Sequence, residues 1–549
     1  MGQEGTIMEM PKGMTLLELA RKVQPQYSSE IVAAVLDHEI HDLQNDARSV
    51  ANVEFITLDS YDGWKIYERS VLFLLITAVH ELYPDAELIV KFSANKGLFC
   101  EIRHNSMTFE EPAVRQIEKR MRHIVAENRP IRKEFLSRED AVKMFKKSRD
   151  IEKANLIAGL QRDTVSIYHC GEYYDYLFGA LLPETKNLGR FELDYEPPGV
   201  LLRTPKIMTD GKVCRRVPQP KLKHIMEETK QWVKSLSCSY VTDLNRIIRC
   251  GFSGDAIRVS EALQEKRIAR IADQIVQQPE NARLVMIAGP SSSGKTSFAQ
   301  RLRVQMLVNG LKPVSISLDD YFRPRLETPR NEKGEYDYEC LGALDTELFN
   351  KHMVELLEGK EIILPRYNFV TGLREWQTDT PLSVTSRQPI IIEGLHGLNE
   401  KLSAAVPRDK KFKIFISALT PLNIDAHNSV STTDARLLRR LVRDYQFRGA
   451  HALHTLKIWH DVRAGEEKNI VPFQEEADVM FNSALVYELA ILKKYAVPLL
   501  ERISPDVPEH IEARRLLDLC SYFDEIDDEN LVPNNSLLRE FIGKSVFFQ

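Results

Sequence analysis

Short apolar runs and helically spaced apolar positions alternate along the second half of the chain. Apolar runs that predict strands lie at residues 284–288, 314–318, 389–393, 413–417 and 477–482. After the first of them, Phe298, Leu302 and Met306 are four positions apart, which is the spacing of an amphipathic helix. This half of the chain therefore predicts an α/β fold in which helices flank a parallel sheet.

The first half of the chain has a mixed pattern that predicts small α+β units. Apolar runs typical of strands lie at residues 6–10, 31–36 and 53–58. A short amphipathic helix is predicted over residues 15–23, and Thr15 with Glu18 three positions later forms a capping box. Charged helical segments with an apolar stripe follow at residues 225–236, 240–249 and 256–278. They predict a helical connector before the strand at 284–288.

Length and composition place these patterns in a protein of several domains. The chain has 549 residues, of which 43% are hydrophobic and 28% charged, enough for about three or four ordinary domains. We place their limits at residues 1–64, 65–225, 226–280 and 281–549. The net charge is −5, so the overall charge does not indicate nucleic-acid binding. A local basic patch that binds nucleic acid is left as an alternative.

Cysteine usage and apolar run lengths indicate a cytoplasmic protein that does not enter a membrane. The seven cysteines are spread thinly and form no C-x-x-C pair, which favours a reducing compartment. The N-terminus lacks a cationic segment followed by an apolar one, as a signal peptide would have. The longest apolar run, residues 71–79, is too short to span a bilayer.

A phosphate-binding motif follows the first strand of the second half. Gly289 to Thr296 fits the pattern G-x-x-x-x-G-K-[ST] without a mismatch, between a predicted strand and a predicted helix. Glycines let such a loop curl around phosphate oxygens, and backbone N–H groups and the helix N-terminus attract them. Lys295 can reach the β- and γ-phosphates of ATP, and the Thr296 hydroxyl can bind Mg²⁺. The expected nucleotide contacts are Gly289, Ser291, Ser292, Ser293, Gly294, Lys295, Thr296 and Ser297.

Two carboxylates follow neighbouring predicted strands. Asp319 comes at the end of the strand at 314–318, where it faces the phosphate crevice and can take a proton from a hydroxyl. Glu393 ends the apolar run at 389–393, and an acid there would be costly unless it met a cation or water. We expect Asp319 to act as a base and Glu393 to lie beside Mg²⁺.

Together these segments resemble the uridine kinase and phosphoribulokinase family. Asp319-Asp-Tyr-Phe322 is similar to the family's D-[SD]-[FY]-[FY] segment, in which the first Asp is the catalytic base. Residues 336–345 resemble its segment that contacts substrate hydroxyls, with Glu339 as the nearest equivalent. Residues 364–371 resemble P-x-Y-D-F-x-x-H, so the resemblance implies that the Tyr367 ring packs against a base or sugar. Plain packing of Tyr367 is the alternative.

An arginine-rich helix continues this resemblance. Residues 434–449 place Arg436, Arg440 and Arg443 near one face by spacing, which alone is also typical of a solvated helix. The segment resembles the family lid R-R-x-x-R-D-x-x-x-R-G. That resemblance implies that Arg440, Arg443 and Arg448 close over the phosphates and stabilise transferred charge.

Four departures from the family pattern argue against uridine as the acceptor. Asn368 stands where the family has Asp, and Gly372 where uridine kinases place a His that contacts the base. Ala450 replaces the last lid arginine, and Ile458 lies near the position of a later Gln contact. The segments that bind the phosphoryl donor are kept, whereas those that recognise uridine are changed.

The first 225 residues resemble the front of threonyl-tRNA synthetases. Residues 1–64 resemble the TGS domain, and residues 65–225 the second additional domain, which includes the editing site. Cys170-Gly-Glu-Tyr-Tyr-Asp-Tyr-Leu-Phe-Gly179 is similar to the family's C-G-x-H-x-D-x-C-x-G. The residues at the ligand positions of the editing site are changed, which disfavours aminoacyl-tRNA hydrolysis: Arg69, Phe73, Tyr173, Leu177 and Leu181.

Two hypotheses from different classes follow. The first is an ATP- and Mg²⁺-dependent kinase that phosphorylates a hydroxyl of a nucleoside or a related small metabolite, and we expect it to form a homo-oligomer. The alternative is a nucleotide-gated regulatory protein that binds RNA through the first half. His451, His454 and His460 lack carboxylate or cysteine neighbours, and we interpret them as lid or surface residues.

Overall fold

The computed structural model describes residues 14–45, 53–94, 96–206, 211–278, 282–331 and 334–548. Its first unit is a three-stranded antiparallel sheet with the strand order β2-β1-β3 and one helix. The elements are α1 (Leu16–Val23), β1 (Ile31–Leu36), β2 (Glu39–His41) and β3 (Val53–Thr57). Thr15 and Glu18 form the predicted capping box at the start of α1. The strand predicted at residues 6–10 lies outside the described residues.

The second unit holds two antiparallel sheets around one long buried helix. Their strand orders are β4-β5-β10-β9 and β6-β7-β8. The apolar run at residues 71–79 is the buried middle of α2, which begins at the Ser60 cap. The elements in chain order are α2 (Tyr61–Leu82), β4 (Glu87–Ala94), β5 (Gly97–Arg103), α3 (Glu111–Glu127), β6 (Ile131–Ser137), α4 (Arg138–Lys147), α5 (Ile151–Ala158), β7 (Thr164–Cys170), β8 (Tyr173–Asp175), β9 (Glu192–Glu196) and β10 (Gly199–Arg203).

Three helices connect these units to the second half of the chain, in the region predicted as helical. They are α6 (Pro220–Ser235), α7 (Val241–Arg249) and α8 (Ser253–Val276). Ile268, Ile271, Ala272 and Ile275 on α8 are buried against the helix that follows the phosphate-binding motif. The predicted apolar stripe of this segment therefore faces a core.

The second half is built on a five-stranded parallel sheet with the strand order β12-β15-β11-β16-β17. Strand β11 is buried along its whole length, which is why it forms a continuous apolar run instead of an alternating one. The elements are β11 (Leu284–Ala288), α9 (Lys295–Val308), β12 (Val314–Ser317), α10 (Thr346–Leu357), β13 (Pro365–Asn368), β14 (Leu373–Trp376), β15 (Ile390–Glu393), β16 (Lys411–Ser417), α11 (Thr432–Phe447), α12 (Ala452–Asn469), β17 (Val479–Asn482), α13 (Glu488–Leu500), α14 (His510–Ser521) and α15 (Arg539–Ile542). The α/β fold with a parallel sheet between helices, preceded by α+β units, is the predicted class.

The chain after β17 combines helices with irregular turns. Helix α13 begins at Glu488, and in the turn before it the Asn482 side chain bonds Leu419 and Ala484. In the segment 505–548 only α14 and α15 are α-helical. The Ser536 hydroxyl, just before α15, donates to Glu261 on α8.

The two halves share one interior. A single hydrophobic cluster joins side chains of α4, α5 and β7 to those of α11, α12, α13 and α14. A cluster of three polar side chains also joins the two halves. Lys153 contacts Asp175, and His427 Nδ1 lies 2.6 Å from Asp175 Oδ2. No helix in the described part of the chain combines the length and apolar character that a membrane crossing requires.

Candidate functional site

The candidate site lies where three neighbouring strands of the parallel sheet end. In the pairing register, Glu393 of β15 lies opposite Ile287 of β11 on one side and Ser317 of β12 on the other. The phosphate-binding loop starts two residues after Ile287, and Asp319 comes two residues after Ser317. The strand order therefore brings the loop, Asp319 and Glu393 to one edge, the usual ligand crevice of such sheets.

The loop between β11 and α9 needs glycine at both of its marked positions. A Cβ at Gly289 would lie 2.1 Å from the Ile416 carbonyl oxygen, so no other residue fits there. Gly294 has φ +84°, a left-handed conformation, and it is the residue before the first turn of α9. The two glycines let the chain double back and present the N-terminus of α9 to the crevice.

This N-terminus forms a cradle suited to phosphate. Helix geometry leaves the N–H groups of Lys295 and Thr296 without intrahelical acceptors, and the dipole adds positive potential. The buried hydroxyls of Ser292, Ser293 and Ser297 have no hydrogen-bond partner within the described residues. Unsatisfied donors of this kind fit a ligand rich in acceptor oxygens. The predicted loop residues thus lie together in one cradle.

The Lys295 side chain lies against its own loop. Its Nζ donates to the Gly289 carbonyl at 3.0 Å and to the Pro290 carbonyl at 3.2 Å. Burial lowers the pKa of Lys295, and the carboxylates of Glu393 and Asp319 act in the opposite direction. The Lys295 ammonium is therefore close to both carboxylates, and it can exchange its hydrogen bonds to backbone carbonyls for bonds to a ligand.

Thr296, Glu393 and Asp319 form an oxygen-rich group. The Thr296 hydroxyl donates to Glu393 Oε1 at 3.4 Å. Burial, helped by the nearby Asp319 charge, raises the pKa of Glu393 to about 7. Water reaches the Asp319 side chain, yet surrounding protein atoms desolvate its carboxylate and raise its pKa. Crowded hard oxygen donors fit Mg²⁺, which proteins hold by one or two such ligands plus phosphate oxygens.

Glu339 lies in the same electrostatic environment. Burial and the Glu466 charge raise its pKa to about 7, while Arg440 and Lys295 act against that shift. The approach of its segment to α12 is close, because a Cβ at Gly465 would lie 2.7 Å from the Glu339 Cβ. Glu339 is therefore near the loop and the arginine helix, where the resemblance places an acceptor contact.

Tyr367 lies in an aromatic cluster. Its ring centroid is 5.5 Å from that of Phe322 and 5.0 Å from that of Phe369, and the residue is 5% exposed. This is the packing alternative stated for Tyr367, and its stacking against a substrate stays a prediction. Asn368 next to it holds the turn between β13 and β14, accepting from the amides of Val370 and Thr371.

The lid arginines line the side of α11 that faces the loop. Arg440 donates to the Ser291 hydroxyl, with 2.8 Å between Nη1 and Oγ. Arg443 Nε lies 2.9 Å from the buried Asp444 carboxylate. Arg448 is exposed, with 3.8 Å between its Nε and Asp444 Oδ1. Asp444 thus gathers the three predicted arginines within reach of the crevice.

Four residues that contact the loop were not predicted from the sequence. Arg436 Nε donates to the Ser291 carbonyl at 2.9 Å, and Arg439 Nη1 to the Ser292 carbonyl at 3.3 Å. Ser291 N donates to the Glu466 carboxylate at 2.8 Å. These loop contacts come from α11 and α12. Ser297 N donates to the Glu540 carboxylate of α15 at 3.0 Å.

The sequence contains a partial signal for the buried arginines. Arg436 and Arg439 are both almost fully buried, and their ion pairs are with Glu466 and Glu488. Both lie in the predicted arginine-rich helix, where spacing groups Arg436 with Arg440 and Arg443 but does not show which arginines are buried. The partners are distant in sequence, so no local pattern points to them.

The positions that correspond to an editing site hold structural side chains. Leu177 and Leu181 are buried in the apolar core of the second unit. Arg69 donates to the Ala180 carbonyl, and the Tyr173 hydroxyl donates to Asp175. Within the described residues no cluster of three or more His, Cys, Asp or Glu side chains could hold a metal ion.

Comparison with known proteins finds similar sequences for each half of the chain. Residues 284–490 match the Phosphoribulokinase / Uridine kinase family. The first half is similar to threonine–tRNA ligases, with 30% identity over 190 residues for that of Rubrobacter xylanophilus and 32% over 191 for that of Listeria welshimeri. These matches cover 35% of this chain, and the chain spans only 29% and 30% of the ligases' lengths.

A solved structure from Bacillus stearothermophilus, described as a possible uridine kinase, is 17% identical, with a TM-score of 0.28 over 40% of this chain and 98% of that one. The family match covers the loop, both strand-end carboxylates and the arginine helix. Residues 284–490 are therefore a domain of the phosphoribulokinase / uridine kinase family, joined to a first half that is similar to part of threonine–tRNA ligases.

Proposed function

We propose that this protein is an ATP- and Mg²⁺-dependent kinase that transfers the γ-phosphoryl group to a hydroxyl of a nucleoside or a related small metabolite. The observation that carries the proposal is the convergence of Lys295, Thr296, Asp319 and Glu393 at one edge of the parallel sheet. A phosphate cradle, two acids and arginines beside them are the parts that phosphoryl transfer requires.

Each residue has a role that its position supports. Asp319 accepts the proton of the acceptor hydroxyl as that oxygen bonds to phosphorus and the bond to the departing ADP oxygen breaks. Lys295 leaves its carbonyl partners and neutralises phosphate charge. Thr296 and Glu393 would hold Mg²⁺, which would supply further neutralisation. Arg440 and Arg443 donate to the phosphoryl oxygens, where negative charge is concentrated in the transition state.

Glu339 is our candidate for binding the acceptor. Its carboxylate is near Asp319, so a hydroxyl placed between them would meet a hydrogen-bond acceptor on each side. Asn368 bonds within its own turn and Gly372 has no side chain, so neither supplies the base contacts of uridine kinases. We therefore favour a polyhydroxylated acceptor other than uridine.

A second candidate function, RNA binding controlled by nucleotide, is favoured by one surface. The edge strand β6 and the helix α4 after it carry exposed cations and the exposed Phe135 ring, at 63% exposure. The cations are Arg132, Lys143, Lys146 and Lys147, with Arg149 just after α4. Cations with an aromatic side chain are typical of surfaces that bind single-stranded nucleic acid.

ADP release from Mg·ATP tests the two proposals together. The acceptors offered would be nucleosides, sugars, polyols and bulk tRNA, with Lys295→Ala as the blank and Lys312→Ala as a matched control on an exposed lysine. ADP formed only with one small hydroxyl compound would establish the kinase and its acceptor class. ADP raised only by RNA, or formed slowly with every acceptor, would contradict the kinase and favour the second candidate.

A further inference from the structure

The C-terminal segment of the chain reaches back to the phosphate cradle. Glu540 on α15 accepts a hydrogen bond from the Ser297 backbone N–H, with 3.0 Å between N and Oε2. Ser297 is the third residue of α9, a helix of 14 residues. An internal carboxylate therefore lies on one of the amides that a loop of this kind offers to phosphate.

The rest of this segment is anchored firmly. Leu537 and Phe541 are fully buried, and the Phe541 ring lies 5.0 Å from the Arg439 guanidinium. Ser536 donates to the buried Glu261 carboxylate. The backbone that carries Glu540 is thus fixed against the kinase core, so only its side chain is free to leave Ser297.

The charge of Glu540 acts on the catalytic groups. It opposes the lowering of the Lys295 pKa and contributes to the raised pKa of Glu393. The buried hydroxyls of Ser293 and Ser297 in the same cradle have no partner within the described residues. The cradle therefore has more donors than Glu540 satisfies, which indicates that a larger anion binds there.

We propose that Glu540 is an affinity-determining residue of the nucleotide site: it occupies the N-terminus of α9 in the free protein and must withdraw when a nucleotide phosphate binds. The inference rests on the proposed function, because it needs a phosphate ligand in this cradle. One N–H group cannot serve two anions fully, and a carboxylate at this distance from a phosphate repels it. Glu540 therefore weakens the binding of nucleotide and keeps the empty cradle ordered.

Binding of three probes by calorimetry tests this inference on the full chain. The probes are Mg·ADP, inorganic pyrophosphate and adenosine, which has no phosphate. Glu540→Gln keeps the shape and can still accept from Ser297, so it removes only the charge. We expect it to bind Mg·ADP and pyrophosphate about tenfold more tightly, since charged hydrogen bonds are stronger than neutral ones. Its affinity for adenosine should not change.

Asp527→Asn is the matched control, because Asp527 is an exposed carboxylate of the same C-terminal segment and the substitution removes the same charge. It should leave the affinity for all three probes unchanged. Unchanged or weaker pyrophosphate binding by Glu540→Gln would overturn the inference, and weaker binding is what a purely structural cap on α9 predicts. Absence of phosphate binding in both the wild type and Glu540→Gln would overturn the proposed function and this inference with it.

Discussion

Arg440 of the arginine helix donates a hydrogen bond to Ser291 of the phosphate-binding loop, with 2.8 Å between Nη1 and Oγ. The same guanidinium contacts Asp444 one turn further along α11. The lid side of α11 is therefore in contact with the loop before any phosphate binds. Arg440 needs only to exchange a hydroxyl for a phosphate oxygen to act in the reaction.

Arg440→Ala should lower kcat by about 10²- to 10³-fold with a smaller change in nucleotide affinity, since its donors act on charge that develops in the transition state. Steady-state ADP release and nucleotide binding would be measured on the same preparations. Lys457→Ala is the control, because Lys457 is an exposed cation on the neighbouring helix α12. A rise in KM at constant kcat would show that Arg440 only binds substrate.

Lys295→Ala should abolish measurable phosphoryl transfer while the protein stays folded. The lysine bonds only to the carbonyl groups of Gly289 and Pro290 among its hydrogen-bond partners in the described structure, and it is partly desolvated. Its removal takes a cation from the neighbourhood of Glu393 and Asp319 but breaks no close ion pair within the described residues. Thermal unfolding should be close to that of the wild type, and retained transfer activity would contradict the role of Lys295.

Asp319→Asn should abolish transfer and preserve nucleotide binding, because an amide cannot take the hydroxyl proton. Asp320→Asn is a stringent control, since Asp320 is the adjacent carboxylate and accepts a hydrogen bond from the Tyr367 backbone. Single-turnover transfer and Mg·ADP affinity separate the two steps. Equal activity losses in the two variants would mean that this turn has a structural role only.

Nucleotide should stabilise the protein more at pH 8 than at pH 6. In the free protein Glu393 keeps its proton up to a pKa of about 7, whereas the unfolded chain releases it near the ordinary glutamate value. The free energy of unfolding therefore falls as the pH rises from the glutamate pKa of the unfolded chain to the Glu393 pKa of the folded protein. Mg²⁺ requires the charged carboxylate. Below about pH 7 the binding of Mg·ADP must therefore displace the Glu393 proton, whereas above that pH it need not, and its stabilising effect is larger there.

The measurement is the increase in Tm on adding Mg·ADP at both pH values, for the wild type and for Glu393→Gln. The nucleotide titrates in the same range, and that contribution is common to both proteins. The pH-dependent excess should therefore be larger in the wild type than in Glu393→Gln. An equal excess in the two proteins would assign it to the nucleotide.

Arg439→Met should lower the free energy of unfolding by about 3–5 kcal/mol, because it leaves the buried Glu488 carboxylate without its charged partner. The double variant Arg439→Met with Glu488→Leu should lose less than the single one, since it removes both charges. Denaturant unfolding of the wild type, Arg439→Met, Glu488→Leu and the double variant gives the coupling. A loss in the double variant equal to the sum of the two single losses would show that the pair contributes no such coupling.

Local patterns predicted the parts of the site that are contiguous in sequence. The phosphate-binding loop follows a buried strand directly, and Asp319 and Glu393 come at the ends of apolar runs, so the motif, the strand ends and the family resemblance together predicted a common crevice. Tyr367 shows the limit of such reasoning. A matching motif predicts a substrate contact, which stays a prediction, but no local pattern shows that the Phe322 and Phe369 rings pack against Tyr367.

Contacts between distant residues could not be predicted in this way. Ser297 and Glu540 are separated by 243 positions, and Arg439 and Ser292 by 147. Both pairs depend on how α11 and α15 pack against α9, which single-sequence periodicity does not specify. The arginine spacing on α11 suggested one functional face, and only burial separates Arg440 from the structural Arg439.

The buried contact between Lys153, Asp175 and His427 has a consequence for how the two halves behave together. Lys153 and Asp175 belong to the part similar to tRNA ligases and His427 to the kinase domain, inside a cluster of apolar residues drawn from both. Parting the halves would hydrate that whole interface and uncover paired charges. We therefore expect the two halves to unfold as a single cooperative unit, so that a ligand bound by either half raises the thermal stability of the other.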